Sequence, residues 1–159
     1  NTIRDKYVAS GRVSFELRNY VRDGIDLTAA MLTRCGTDQS YFPLTEQAFS
    51  YQDTMFEKAQ GLGQDRFQQL SSLPEDQRYV ALADALGLTD FFAQRGIARD
   101  QANQCLANPE TANALANNTG EATQKFNIEG TPTFMINGSK VDFTGWPALE
   151  ATLQQMGAR

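Results

Sequence analysis

The fold of this chain is decided by Gly130-Thr131-Pro132-Thr133-Phe134-Met135-Ile136-Asn137-Gly138, which is followed directly by Ser139-Lys140-Val141. An Asn-Gly pair between two short apolar runs is the strongest short-range signal for a β-hairpin, because both residues tolerate the positive φ of a type I′ turn. Pro132 has no N–H to give to a sheet ladder, so we expect it at the mouth of the first strand rather than inside it. The stretch therefore predicts a proline-led hairpin near the C-terminal end of the chain.

Composition excludes several classes of function. The net charge is −5 and no long basic run is present, which argues against nucleic acid or an anionic membrane as the main partner. No apolar stretch approaches the ~20 residues that a membrane helix needs. The sequence has no histidine, so it lacks Ser-His and Cys-His triads and most zinc sites. Its two cysteines, Cys35 and Cys105, form no C-x-x-C pair. We predict no metal, no cofactor and no complete catalytic constellation in this chain.

Helical periodicity dominates the middle of the chain. A helix ending at Gly11 and an alternating strand over Arg12–Arg18 come first. We predict Asp26 as the cap of the next helix, and the pattern stays helical through residue 126. The predicted segments are Leu27–Cys35, Phe42–Gln60 ended by Gly61-Leu62-Gly63, Gln64–Leu73, a helix from Pro74 to Gly87, Asp90–Arg95 capped by Thr89, Arg99–Ala107, Pro109–Phe126 and, after the hairpin, Pro147–Gln155.

This order predicts a domain made of residues 1–25 and 127–159 with a helical insertion over residues 26–126. The strands at the two ends have no partner except each other, and a hairpin alone is only marginally stable. A strand that follows a crossover helix normally pairs with the strand before that helix. We therefore expect the first strand and the start of the first helix to lie upstream of residue 1. The alternative is a mature N-terminus with a rearranged sheet.

The same residues resemble the DsbA-like branch of the thioredoxin superfamily. Gly130–Gly138 is the specific part of the resemblance, and Phe143-x-Gly145 with the terminal helix extends it. Arg12–Asn19 resembles that family's second strand, and Cys105-Leu106-Ala107-Asn108-Pro109 resembles a part of its helical insertion. The resemblance implies an α/β protein with a thioredoxin fold, a large all-helical insertion, and a βα start that lies outside this chain.

The implied activity is thiol–disulfide exchange with protein or peptide substrates through a mixed disulfide. Family members carry a C-x-x-C at the start of the first helix, which would lie upstream of residue 1. The resemblance therefore implies an enzyme when full length, whereas this chain contains no catalytic cysteine of that kind. It assigns substrate binding to Thr131 and Pro132, with a cis bond between them that leaves the Thr131 backbone available to a substrate strand.

The two cysteines allow three interpretations: unrelated buried thiols, a redox-active pair, or a structural disulfide across the helical insertion. Their even number and the oxidising compartment that the family implies, a bacterial periplasm or the exterior, favour the structural disulfide between Cys35 and Cys105. A bond that closes a loop of this length would stabilise the protein by about 4 kcal/mol.

Two other functions compete with disulfide exchange. The kappa-class glutathione transferase and chromene-carboxylate isomerase group shares the helical insertion and the cis-proline but uses a serine and glutathione. A thioredoxin-like module that only binds peptides is the second alternative. Disulfide exchange implies protein or peptide substrates that carry thiols or disulfides, and it leaves open a membrane redox partner. We expect no nucleic-acid partner and no membrane span in this chain.

Overall fold

The computed structural model describes residues 2–143 and 145–158, and the chain forms two compact units. The terminal unit comprises Asn1–Arg18 and Ala122–Arg159, and the helical unit comprises Asn19–Glu121. Their boundaries fall at 18/19 and 121/122, where the sequence pattern had suggested 25/26 and 126/127. Asn1, Arg159 and the middle residue of Phe143-x-Gly145 belong to our sequence predictions but lie outside the described residues.

Helices account for most of the described residues, and one hairpin forms the sheet. A π-type helical segment spans Ile3–Val8. The α-helices are α1 (Gly24–Thr33), α2 (Asp38–Ser50), α3 (Gln52–Ser71), α4 (Glu75–Ala85), α5 (Leu88–Ala93), α6 (Arg99–Leu106), α7 (Pro109–Phe126) and α8 (Trp146–Gln155). The strands are β1 (Phe134–Ile136) and β2 (Ser139–Val141).

The helical unit is built around α1, which contacts α2, α4 and α6. The side chains at the centre of this packing are almost fully shielded from solvent and almost all apolar, as burial in a close-packed core requires. Those with the least exposure are Met31, Leu32, Leu82, Ala83, Leu86, Leu88, Phe92, Ala102 and Leu106. The unit therefore has a continuous core of its own.

The prediction that Asp26 caps α1 is wrong. The helix begins at Gly24, and the carboxylate of Asp23 accepts hydrogen bonds from the backbone N–H groups of Ile25 and Asp26, each at 2.9 Å. Asp23 has the extended backbone that a capping residue needs. Asp26 lies in the first turn instead, where it pairs with Arg22 at 2.8 Å.

The prediction that Thr89 caps a helix is also wrong. Gly87 has a φ of +71° and directly precedes α5, so Thr89 becomes the second residue of that helix and is buried.

The helices predicted around Gly61-Leu62-Gly63 are divided differently. Helix α2 ends at Ser50, and α3 continues through this stretch with a kink at Gly63, whose φ of +71° and ψ of 161° are not helical. Glycine reaches this conformation at no steric cost.

The prediction of a β-strand over Arg12–Arg18 is wrong. The alternation itself is present, because Val13, Phe15 and Leu17 are half-buried whereas Ser14 and Glu16 are exposed. A segment becomes a strand only when it joins a hydrogen-bonded ladder, however. Within the described residues the sheet contains β1 and β2 alone.

The predicted hairpin is confirmed. Strands β1 and β2 are antiparallel, with Phe134 opposite Val141 and Ile136 opposite Ser139. Asn137 and Gly138 form the turn with φ values of 50° and 84°, as a type I′ turn requires. The hairpin therefore starts immediately after the Gly130–Thr133 segment.

The terminal unit has a small core of its own, to which the hairpin contributes. Its buried side chains are Tyr7, Leu149, Leu153 and Ala158, and the half-buried residues packed against them include Val13, Ile136, Phe143 and Trp146. Ile136 from β1 and Phe143 after β2 thus attach the hairpin to α8 and to the N-terminal helical segment.

Candidate functional site

The segment Gly130–Thr133, here called the proline loop, lies at the surface of the terminal unit. The peptide bond between Thr131 and Pro132 is cis, and both residues are exposed. The Thr133 hydroxyl donates a 2.6 Å hydrogen bond to the carbonyl oxygen of Gly130, which closes the loop on itself. Pro132 lies two residues before β1, so the strand fixes one end of the loop.

The backbone of Thr131 is available to a binding partner. Across residues 2–143 and 145–158, neither its N–H nor its C=O makes a hydrogen bond within the protein. An exposed N–H and C=O beside the start of a strand can pair with an extended peptide, as in β-strand addition. The loop therefore has the geometry of a main-chain binding site.

An aromatic pair lies beside this backbone. Phe134 is 37% exposed, and its ring meets the ring of Phe143 edge to face with centroids 5.9 Å apart. Because Phe143 also packs against the core of the terminal unit, the position of the aromatic pair is fixed by that core. It presents apolar surface next to the polar backbone of the loop.

A polar cluster anchors α8 to the N-terminal helical segment, and sequence reasoning missed it. The Tyr7 hydroxyl donates to Glu150 Oε1 at 2.6 Å and accepts from the Gln154 side-chain amide at 3.0 Å. The Lys6 ammonium donates to the same Glu150 oxygen at 2.8 Å. The only signal in the sequence was the one-turn spacing of Glu150 and Gln154, which by itself is typical of a solvent-exposed helix face.

These contacts change the ionisation of the cluster. The hydrogen bonds from Lys6 and then from Tyr7 lower the pKa of Glu150 below its ordinary value of 4.5. The hydrogen bond to Glu150 correspondingly raises the pKa of Lys6 above 10.5. Because both side chains are partly exposed, the ion pair is screened by solvent and stabilises the unit modestly.

The terminal unit is therefore expected to lose stability in acid. A carboxyl group with a depressed pKa in the fold contributes stability above its unfolded pKa, and this contribution is lost as the pH falls through the folded pKa. Thermal unfolding followed by the fluorescence of Trp146, the single tryptophan, should show a falling midpoint as the pH drops from about 5 toward 3. In Glu150→Gln this decrease should be smaller, whereas Asp142→Asn, an exposed residue outside the cluster, should keep it. Equal pH profiles for Glu150→Gln and the unmodified protein would contradict the assignment.

Cys35 and Cys105 are joined by a disulfide in the helical unit. Their Cα atoms are 5.9 Å apart across a sequence separation of 70 residues, and both residues are half-buried. The bond connects the segment after α1 to α6, where the Gln101 amide also donates to the Cys35 carbonyl at 2.6 Å. Since the sequence has no other cysteine, this chain has no free thiol.

The sequence-predicted residues thus fall into two groups. Thr131 and Pro132 share one exposed loop of the terminal unit, whereas Cys35 and Cys105 share one bond of the helical unit.

Within the described part of the chain, no group of three acidic or cysteine side chains is arranged to hold a metal ion. The helices found there also fall short of the length and apolarity that crossing a bilayer requires.

Comparison with known proteins identifies relatives over most of the chain. A family model described as thioredoxin matches residues 1–155. A protein of Rickettsia conorii with the provisional name protein-disulfide oxidoreductase is 26% identical over 86% of this chain and 41% of its own length. A Rickettsia bellii protein with the same provisional name is 24% identical over 88% of this chain and 46% of its own length. The chain therefore spans less than half the length of these two curated relatives.

A solved structure resembles this chain in three dimensions. The crystal structure of a protein-disulfide isomerase from Novosphingobium aromaticivorans superposes with a TM-score of 0.86 and is 30% identical. The match covers 98% of this chain and 80% of that one. The expectation of a thioredoxin fold with a helical insertion of the DsbA type is confirmed by this match together with the family model.

Proposed function

This chain belongs to the thioredoxin family, and on that premise we propose that it is part of a DsbA-type thiol–disulfide oxidoreductase that acts on protein or peptide thiols. One observation carries the proposal: the likeness to a protein-disulfide isomerase extends over nearly the whole chain, including both of its units. The exposed proline loop supplies the substrate-binding half of such a site. The likeness to a protein-disulfide isomerase, together with the exposed proline loop, supports disulfide exchange over glutathione transfer.

The exchanging cysteines are proposed to lie in a C-x-x-C segment of the full-length protein, outside this chain. Cys35 and Cys105 are already bonded to each other in the helical unit, so neither is a free nucleophile. A thiolate at a helix N-terminus is stabilised by the helix dipole, which lowers its pKa and makes it a better leaving group. The family resemblance implies a C-x-x-C at such a position.

Oxidation of a substrate then proceeds in two displacements. A substrate thiolate attacks one sulfur of the C-x-x-C disulfide, and a mixed disulfide forms as the other enzyme sulfur leaves as a thiolate. A second substrate thiolate displaces the enzyme sulfur, so the substrate gains a disulfide and the enzyme becomes a dithiol. During these steps the Thr131 backbone holds the substrate main chain, and its hydroxyl donates toward the enzyme thiolate.

The proposed location is a bacterial periplasm or the exterior, where a disulfide such as Cys35–Cys105 persists. Each oxidative turnover leaves the enzyme reduced, so a redox partner, proposed to be membrane-bound, must accept two electrons from it. Alkylation of thiols in intact cells before lysis tests the location. Cys35 and Cys105 should be protected from the reagent until a reductant is added, and labelling without reductant would argue for a reducing compartment.

The test of the function uses the full-length protein. It should accelerate the reactivation of reduced, unfolded ribonuclease or the reduction of insulin, and alanine at both C-x-x-C cysteines should abolish the acceleration. Glutathione conjugation to a generic electrophile should be absent. Conjugation without disulfide exchange would support the glutathione transferase alternative, and peptide binding without either activity would support a non-catalytic module.

A further inference from the structure

We propose that Asn137 is a site of spontaneous deamidation in the folded protein, through a succinimide formed with the backbone nitrogen of Gly138. The inference concerns the turn of the hairpin, which the proposed disulfide exchange does not use. Its chemistry requires only water, and it stands independently of the proposed function. Three features of the turn carry it.

The first feature is that the reacting groups are free and exposed. Asn137 and Gly138 are both solvent-exposed. In the part of the chain that the structure describes, no hydrogen bond engages the Asn137 side-chain amide or the Gly138 N–H. Neither the electrophile nor the nucleophile therefore has to break a protein contact before reacting.

The second feature is the open space over Gly138. A Cβ atom placed on this residue would meet no atom within 4 Å outside the two adjoining residues. Ring closure brings the Asn137 side chain over the Gly138 nitrogen, and a side chain at residue 138 or a neighbouring group would obstruct it. Outside the adjoining residues, no part of the described chain occupies this space.

The third feature is an internal comparison with Asn127. Asn127 and Asn137 are the described residues other than glycine with positive φ, at 47° and 50°. Asn127, however, precedes the β-branched Ile128, and its amide donates to Glu129 Oε1 at 3.4 Å. The two asparagines share a backbone region but differ in the neighbour that supplies the nucleophile. Asn137 should therefore react first.

The reaction balances without any oxidant or reductant. The Gly138 nitrogen loses its proton to solvent and bonds to Cγ of Asn137, while the bond from Cγ to the side-chain amide nitrogen breaks and that nitrogen takes up a proton from solvent and leaves as ammonia. Water then opens the five-membered ring at either carbonyl, giving aspartate or isoaspartate at residue 137. Because the attacking nitrogen must be deprotonated, the rate rises with pH.

The products alter the hairpin that supports the proline loop. Either product adds a negative charge at the turn, three residues before Lys140 of β2. Isoaspartate also inserts an additional main-chain carbon into a two-residue turn. Since Ile136 and Ser139 face each other directly across that turn, the added atom disturbs the pairing next to it. We expect fraying to begin at this end of the hairpin.

The test is peptide mapping by mass spectrometry after incubation of the folded full-length protein in neutral and mildly alkaline buffer. The peptide that contains Asn137 should change from amide to acid before any other asparagine peptide, and faster at the higher pH. Asn137→Gly keeps a turn that accepts positive φ and should abolish the change. Asn127→Gly, the matched control, should leave the rate at Asn137 unaltered.

Two results would overturn the proposal. If Asn137 stays intact in the folded protein while the same peptide converts in denaturant, the turn protects the residue. If Asn127 converts as fast as Asn137, the glycine neighbour and the open space do not determine the site. Selective conversion at Asn137 in the folded protein supports it.

Discussion

Replacing Cys35 and Cys105 together by alanine is expected to lower the free energy of unfolding of the helical unit by about 4 kcal/mol. The disulfide closes a loop of 70 residues, and its loss returns that conformational entropy to the unfolded chain. Native domains have a total stability of about 5–15 kcal/mol, so the variant should unfold at a much lower denaturant concentration. Far-ultraviolet circular dichroism against urea, which follows the helices, measures the effect.

The matched control for this prediction is the effect of a reductant. Reductant should shift the unfolding midpoint of the unmodified protein toward that of the double alanine variant and should leave the variant itself unchanged. A reductant-dependent shift of equal size in both proteins would show that the shift does not come from this disulfide. Equal midpoints for the two oxidised proteins would show that the bond does not stabilise the unit.

Substitution at the proline loop is expected to give the second large effect, on activity rather than on stability. In the full-length protein, Pro132→Ala should lower kcat/KM for a peptide thiol substrate. Proline fixes φ and cannot donate a hydrogen bond, so alanine lets the loop sample conformations in which the Thr131 backbone no longer meets the substrate. Loss of two main-chain hydrogen bonds, at about 0.5–1.5 kcal/mol each, corresponds to a decrease of roughly 5- to 150-fold.

Two further variants make this result interpretable. Pro147→Ala removes a proline at the start of α8 rather than in the loop, and it should leave kcat/KM unchanged. Thr131→Val removes only the hydroxyl that is proposed to donate toward the enzyme thiolate, and it should raise the pKa of the enzyme cysteine that leaves as that thiolate. Unchanged kinetics in Pro132→Ala would show that the loop does not bind substrate.

Local signals in the sequence were sufficient for the hairpin but not for every helix start. Asn137-Gly138 admits few conformations, so the turn could be predicted from two residues. The choice between Asp23 and Asp26 as a cap depends on which backbone is extended, and both residues suit the position chemically. The same ambiguity explains Thr89, since the positive φ of Gly87 let α5 begin earlier.

Features that depend on distant residues were harder to predict. Arg12–Arg18 has the alternation of a strand, but a strand requires a pairing partner that no local pattern supplies. The contact between Tyr7 and Glu150 joins residues 143 positions apart, and neither side chain stands in a recognisable motif. The bond between Cys35 and Cys105 was expected because of the family resemblance and the even cysteine count, not because of spacing.

The central claim is that the redox-active sulfurs belong to a C-x-x-C of the full-length protein and not to Cys35 or Cys105. Trapping the mixed disulfide between the full-length oxidised protein and a cysteine-containing peptide, followed by peptide mapping under non-reducing conditions, tests this most directly. The peptide should be found on a cysteine of the C-x-x-C, with Cys35 and Cys105 still bonded to each other. A peptide attached to Cys35 or Cys105 would contradict the account.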